Sequence, residues 1–331
     1  MKKYIFAVLA LCMALVSCTD DLDQRPQIGT TSDDVFSTLG GYESMMAKIY
    51  ASFILKGENK GGGDDIGTFG GYELWRSYFN LQEGTTDVAA FRWVSGDNLW
   101  GLSYLTWDKN DGQNSDTYYR LYYTIALCNE YLRHCGGIGG FTAEEQAAIT
   151  AMSAEARFMR AMCYEMVLDL YNQGPFVDEN TPTSGVFPPA YDAAQLMEFV
   201  ETEINDIEPA LADHPAYARA GKGAAYALLA RMYLNVETYT GTPRYDDCIA
   251  NCKKVMALGY SLEPDWKKLF NADNDKRTNE IIFAFASDAT EAVTWGGGTY
   301  LVCGSVGSDN KQEGADYGIS TGWGNFRARG Q

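Results

Sequence analysis

Residues 221–258 read GKGAAYALLARMYLNVETYTGTPRYDDCIANCKKVMAL, and their spacing decides the fold class. From Gly221 to Val236 apolar residues recur at helical intervals, and the small residues Ala224, Ala227 and Ala230 let a partner helix come close. Thr240 to Arg244 holds a glycine and a proline, neither of which favours continuing a helix. The helical period returns from Tyr245 to Leu258. Two helices joined by so short a loop form a helical hairpin.

The same period extends outward from this hairpin. Upstream, Ala193 to Leu211 is an amphipathic helix that follows a Pro/Ser/Gly connector at Thr181 to Pro189. A longer helix spans Ala143 to Tyr171 and is stopped by Gly174-Pro175. Before it, Asp116 to Leu132 carries Tyr118, Tyr119, Leu121, Tyr122, Ile125 and Tyr131 on a wide apolar face. Thr31-Ser32-Asp33-Asp34 reads as a helix start, with Tyr42, Met46, Ile49 and Phe53 following at helical spacing. The 221–258 hairpin resembles a tetratricopeptide unit, with small and aromatic residues on one helix and Tyr245 and Ala250 leading the second. Two or three such hairpins are readable, with imperfect periods. Because each pair buries its face only by stacking on the next, the expected architecture is mainly α. It is a tetratricopeptide-like scaffold with long irregular ligand-binding loops and a few short strands.

Those loops hold the aromatic residues. Asp64 to Asp116 reads as irregular, rich in Gly, Asp and Asn, and too long to be idle in a compact domain. Within it Trp93, Trp100 and Trp107 lie seven apart, yet Ser95-Gly96-Asp97-Asn98 is a turn cluster. Beyond the hairpin, Trp266 to Phe270 is a short helix and Glu280 to Phe285 reads as a buried strand. Trp295-Gly296-Gly297-Gly298 and Gly322-Trp323-Gly324 again set glycines around rings. Trp75, Trp107, Trp266 and Trp295 lie beside apolar residues and read as core; Trp100 joins Trp107 as a ring packed on the scaffold. On residues alone Trp93, Phe91, Tyr300 and Trp323 read equally as core edge or as binding platform.

Met1-Lys2-Lys3 and the apolar run Tyr4 to Leu15 have the form of a signal peptide spanning 1–17. The run is shorter than the roughly 20 apolar residues a membrane span needs. Leu15-Val16-Ser17-Cys18 is similar to a bacterial lipobox, in which cleavage before the cysteine frees it for acylation. The formal charge of −18 sets the chain against nucleic acid and anionic lipid headgroups as partners. Of the eight cysteines, Cys12 would leave with the signal, and Cys18 would take lipid unless the signal is an ordinary secretory one cut nearby. The remaining six match no zinc spacing and read as buried thiols. His134 and His214 are the two histidines, which leaves few candidates for histidine chemistry.

Several segments carry a wider resemblance when taken in chain order. They are the lipobox with its acidic tether, Glu155-Ala156-Arg157-Phe158-Met159-Arg160-Ala161 followed by Gly174-Pro175-Phe176, Ala230-Arg231-Met232-Tyr233-Leu234, and Asn279-Glu280-Ile281-Ile282. Together they resemble the SusD/RagB family of outer-membrane glycan-binding lipoproteins over nearly the whole chain. GGGTYLVCG (296–304) and TGWGNFRAR (321–329) are similar to segments of the family's starch-binding founder, where a tyrosine and a tryptophan cradle sugar; these carry over to Tyr300 and Trp323. Arg76 matches an arginine that bonds glucan hydroxyls, and Trp93 one ring of an aromatic pair. The other ring of that pair, a tryptophan, is Phe91 here, and a sugar-bonding asparagine is replaced by Gly96. Asp97 or Asn98 can serve in its place if the loop shifts.

The resemblance implies a non-catalytic surface protein, lipid-anchored to the outer membrane through Cys18 and facing the exterior. It would bind starch or malto-oligosaccharide, or another polysaccharide, and pass it to a SusC-like TonB-dependent transporter. Family members are longer, so 18–331 is expected to be the N-terminal and central part of one domain, incomplete at its C-terminus. No cofactor is required. The founder's structural calcium would find hard oxygen donors at Asp273 and Asp275, which read equally as an Asp/Asn-rich turn.

The chemistry suits sugar, whose rings offer an apolar C–H face and a rim of hydroxyls. An aromatic side chain covers the face, and Arg, Asp and Asn pair with the rim. A glycosidase would need two carboxylates set roughly 5 to 9.5 Å apart, and no motif singles out such a pair. A tetratricopeptide scaffold for a peptide partner is the other rival.

Overall fold

The computed structural model describes residues 29–57, 64–67, 72–287, 290–307 and 314–329. Residues 1–17, expected to be a signal peptide, and Cys18 lie outside them. The chain divides into two compact units, Met1–Tyr42 and Glu43–Gln331. In the first, Thr31 caps helix α1 (Ser32–Val35) through a reciprocal capping box with Asp34. Phe36 and Tyr42 then meet edge to face, their ring centroids 4.9 Å apart. Helix α2 (Leu39–Ala51) begins in this unit and continues into the second.

The second unit is mainly helical. It runs α3 (Leu74–Gly84), β1 (Ala89–Phe91), α4 (Trp100–Tyr104), α5 (Gly112–Cys135), α6 (Ala143–Tyr171), β2 (Gln173–Pro175), β3 (Ala190–Asp192), α7 (Ala193–Ile207), α8 (Lys222–Thr240), α9 (Tyr245–Ala257), α10 (Gly297–Ser305) and β4 (Phe326–Ala328). Helices α5 to α9 stack in series, each packed on the next in chain order, as a tetratricopeptide-like scaffold requires. The 221–258 hairpin is α8 and α9, and α6 has the bounds that the sequence suggested. Thr142 and Glu145 form a capping box at the start of α6, and Asn172 ends it in the left-handed region.

Helix α6 is buried along most of its second half, and its charged residues are part of that core. Glu155, Arg160 and Glu165 are five residues apart, which turns each about 140° from the last and aims them at different neighbours. Glu155 accepts from Arg219 Nε and Nη2 at 2.5 and 2.6 Å. Arg160 donates to Glu203 of α7 at 2.5 Å and to Asn129 of α5 at 2.7 Å. Glu165 accepts from Arg231 of α8 at 3.0 Å. These pairs account for the Glu-Ala-Arg-Phe-Met-Arg-Ala segment: breaking one would leave a buried charge uncompensated.

Two expectations are corrected. The 64–116 stretch holds α3, β1, α4 and the first turns of α5. Its period was masked because the buried face of α3 is largely polar, with Arg76, Ser77 and Asn80 beside Leu74 and Leu81. Glu280 to Phe285 forms no strand. Its rings pack elsewhere instead, Phe285 stacking at 4.6 Å on Phe53 in the turn after α2 and Phe283 meeting Phe158 of α6 at 5.6 Å. A short apolar run reports burial and does not by itself distinguish a strand from irregular chain. The six described cysteines are free thiols; Cys128, Cys163 and Cys303 are buried as expected, whereas Cys252 is exposed. Among the described residues, no helix is long and apolar enough to cross a membrane.

Candidate functional site

Strands β1 and β4 pair antiparallel, setting Ala89 opposite Ala328 and Phe91 opposite Phe326. The pairing continues beyond the strands. The Arg92 backbone N–H donates to the Asn325 carbonyl at 2.5 Å, and that of Trp93 to Asn325 Oδ1 at 3.1 Å. Trp323 is held from α10, its N–H donating to the Cys303 carbonyl at 2.6 Å. The ring centroids of Trp93 and Trp323 therefore lie 6.1 Å apart, with planes inclined by 32°. Trp295 adds a third ring on the far side, 6.1 Å from Trp323 and inclined by 36°. The result is a run of three tryptophans, Trp93–Trp323–Trp295. Trp93 and Trp323 are half-buried, and Trp295 is 63% exposed.

Beneath this run lies a hydrogen-bonded layer. Tyr300 is completely buried; its hydroxyl donates to Asn80 Oδ1 at 2.9 Å and accepts from Asn325 Nδ2 at 2.7 Å. Asn325 thus ties the Tyr300 hydroxyl to the Trp93 backbone. Arg76 has its guanidinium between two rings, 3.9 Å from the Tyr72 centroid and 4.1 Å from that of Tyr300. It pairs with Asp97 at 2.8 Å, and Tyr72 donates to the same carboxylate at 3.2 Å. Burial, reinforced by the Asp97 charge, pushes the Tyr72 hydroxyl up to about 12. The Asp97 carbonyl also accepts from Gln113 at 2.7 Å, so the turn after Trp93 is pinned from α3 and α5. Asn98, partly buried, closes that turn in the left-handed region at φ 52°.

Trp295 is positioned by the residue after it. Buried Glu73 accepts from the Gly296 N–H at 3.1 Å and from the Thr294 hydroxyl. A Cβ on Gly296 would stand 1.6 Å from Glu73 Oε2, so only glycine allows this approach.

The residues singled out from sequence therefore occupy different layers. Trp93 and Trp323 meet at the surface. Tyr300 and Arg76, the latter 7% exposed, form the layer beneath with Asp97. Phe91 is a core residue, packed with Leu81, Leu99 and Leu102 and edge-on to Phe326 at 6.2 Å. Trp295 was expected in the core, and so were Trp107 and Trp266; they are 63%, 47% and 64% exposed, and Trp100 is 56% exposed. Three successive glycines after Trp295 deprive its ring of covering side chains, the one signal that sequence offered. Asn325 and Asn80 gave none, because an asparagine in a loop or on a helix has no spacing that marks a buried bridge. Asp273 faces Arg277 at 3.3 Å and Lys276 at 3.7 Å. Among the described residues no group of three or more His, Cys, Asp or Glu is gathered for a metal.

No family profile matches the chain. The starch-binding protein SusD of Bacteroides thetaiotaomicron is 30% identical over 306 residues, covering 90% of this chain and 53% of its own length. The homology points to the SusD/RagB superfamily. A SusD-like carbohydrate-binding protein of Bacteroides fragilis superposes with a TM-score of 0.65 at 18% identity, over 89% of this chain and 52% of that one. A laminarin-binding SusD-like protein superposes at 0.57 with 18% identity, over 74% and 50%. These solved structures share the SusD-like helical scaffold seen here. The chain spans about half the length of the curated relatives it matches.

Proposed function

We propose that this chain is the glycan-recognising part of a SusD-like surface protein. It binds a starch-type glucan on the Trp93–Trp323–Trp295 run and hands it to a SusC-like TonB-dependent transporter. Acylation of Cys18 holds it on the outer membrane, facing outward. The observation that carries this reading is the tryptophan run itself, with centroids 6.1 Å apart at each step and planes inclined by 32° and 36°. A surface of inclined rings suits the apolar face of a curved glucan better than a flat one. Arg76 and Tyr72 act from below by fixing Asp97 and with it the turn that carries Trp93, Tyr300 braces the Trp93 backbone through Asn325, and Asn98 in the same turn is the side chain that would meet sugar hydroxyls. Each ring contributes on the order of 1 to 2 kcal/mol from buried apolar area. Three rings, less the cost of ordering the sugar, give affinities between micromolar and millimolar.

Affinity electrophoresis and calorimetry of the mature protein against starch, malto-oligosaccharides and β-glucans test the reading. Trp323→Ala removes the ring that touches both others; an affinity loss of about tenfold or more, some 1.4 kcal/mol, is expected in a variant that still unfolds cooperatively. Undiminished binding by this variant would remove the tryptophan run from the site. Binding of another glucan but not starch would keep the glycan class and reject the ligand. Release of products from malto-oligosaccharides would replace binding with glycoside hydrolysis.

A further inference from the structure

A second aromatic cleft lies away from the tryptophan run and shares no lining residue with it. Its volume is about 670 Å³, within the roughly 300–1,000 Å³ of small-molecule sites, and it is bounded by the 107–109 loop, the first turns of α5 and the end of α6. Trp107 and Tyr119 offer rings that are 47% and 56% exposed. Tyr118 forms the wall between, meeting Tyr119 at 5.8 Å and 80° and Tyr171 at 5.6 Å and 90°. Asp108, Lys109 and Asn114 stand on the same cleft.

The cleft is preformed. Tyr171 donates to the Asn114 carbonyl at 2.7 Å, which locks α6 to the start of α5. Asp111 caps α5 by accepting from the Gln113 N–H at 3.0 Å. The chain reaches Trp107 through Leu105, a branched residue held in the left-handed region at φ 56°. Such a conformation is costly outside glycine and persists only where the surroundings impose it. Here the Thr106 N–H donates to the Gly101 carbonyl at 2.8 Å, and a Cβ on Gly101 would lie 3.1 Å from Trp107 Cα. Strained backbone and a close glycine contact thus hold a large ring half in solvent, where burial alone would have turned it inward.

We propose that this cleft is a second glycan site, taking a neutral sugar ring on Trp107 with Tyr119 beside it and Asp108 and Asn114 at the hydroxyls. An apolar helix laid in the cleft would desolvate Lys109 and Asp108 and offer them no new partner, the Asp108 carboxylate keeping its bond from the Asn110 N–H at 2.7 Å, whereas a sugar supplies donors and acceptors to both. The inference rests on the glycan reading above for its ligand class. A polymer that engages both sites gains avidity that a short oligosaccharide at one site lacks.

The test compares four proteins on native gels cast with starch or with β-glucan: wild type, Trp93→Ala/Trp323→Ala, Trp107→Ala/Tyr119→Ala, and the combination. Thermal unfolding verifies that each is folded, and Trp107→Ser with Tyr119→Ser serves as a replacement should the alanine pair unfold. The expected result is retardation by one polymer that weakens severalfold in each double variant and vanishes in the combination. Wild-type retardation in the Trp107/Tyr119 variant, with none in the Trp93/Trp323 variant, overturns the second site and leaves the first intact. No retardation of wild type by any polymer overturns both.

Discussion

Substituting Tyr300 by phenylalanine separates a ring that touches sugar from a residue that positions others. The change keeps the ring and its contact with the Arg76 guanidinium, 4.1 Å away, and removes one oxygen. That oxygen serves two buried partners, Asn80 Oδ1 at 2.9 Å and Asn325 Nδ2 at 2.7 Å. Both asparagines are fully buried, so each is left with an orphaned polar atom. An orphaned buried group costs about 1–3 kcal/mol, which gives about 2–6 kcal/mol for the pair, with the lower end applying if a water enters. The assay is urea unfolding, read as a lower midpoint at unchanged slope, together with calorimetry against the bound glycan. Affinity should fall by less than tenfold, because the Trp93 N–H keeps Asn325 Oδ1 as its acceptor. Unchanged stability with abolished binding would falsify this account, since it would make the hydroxyl itself a sugar contact. Tyr300→Ala is less informative: emptying a fully buried aromatic position costs about 3–5 kcal/mol whatever its role.

Gly296→Ala should both destabilise the protein and weaken glycan binding, because its Cβ would fall 1.6 Å from Glu73 Oε2 and force the Trp295 segment away; retention of wild-type affinity and midpoint would exclude Trp295 from the site. Alkaline stability should fall from about pH 10 upward. Burial is the leading cause that raises Tyr72, Tyr78 and Tyr226 to about 12, whereas an unfolded tyrosine ionises near 10. Below pH 10 both states hold these protons and the contribution is complete; between 10 and 12 only the unfolded state releases them, so stability is lost as pH rises. Urea midpoints measured from pH 9 to 12 check this, and a flat profile with tyrosinate absorbance already present in the native protein at pH 10 would refute it.

Much of the scaffold was legible residue by residue. Helix α6 was legible from Ala143 to Tyr171 with Gly174-Pro175 as its stop, and the α8–α9 hairpin from its periods and the Gly-Thr-Pro loop, because periodicity and breakers act within a few residues. Helix α3 escaped the same reading since its inward face is Arg76, Ser77 and Asn80, residues that report solvent when only hydropathy is considered. The 280–285 run was correctly apolar and wrongly a strand, for its partners are rings far away in the chain, Phe53 and Phe158.

The candidate site divides along the same line. Sequence by itself marked Trp93 and Trp323 as candidate rings and, through the family resemblance, Arg76, but it read Trp295 as core. It also determined the helical scaffold, since local periodicity specifies which face each helix buries. Only the tertiary structure decided which rings are surface and which are core. The two-strand pairing of 89–91 with 326–328 brings Trp93 to Trp323 across more than two hundred residues. The same packing buries Tyr300 and Phe91 and leaves Trp295 and Trp107 in solvent. Exposure depends on what the rest of the chain lays over a ring, and no window around that ring contains the information.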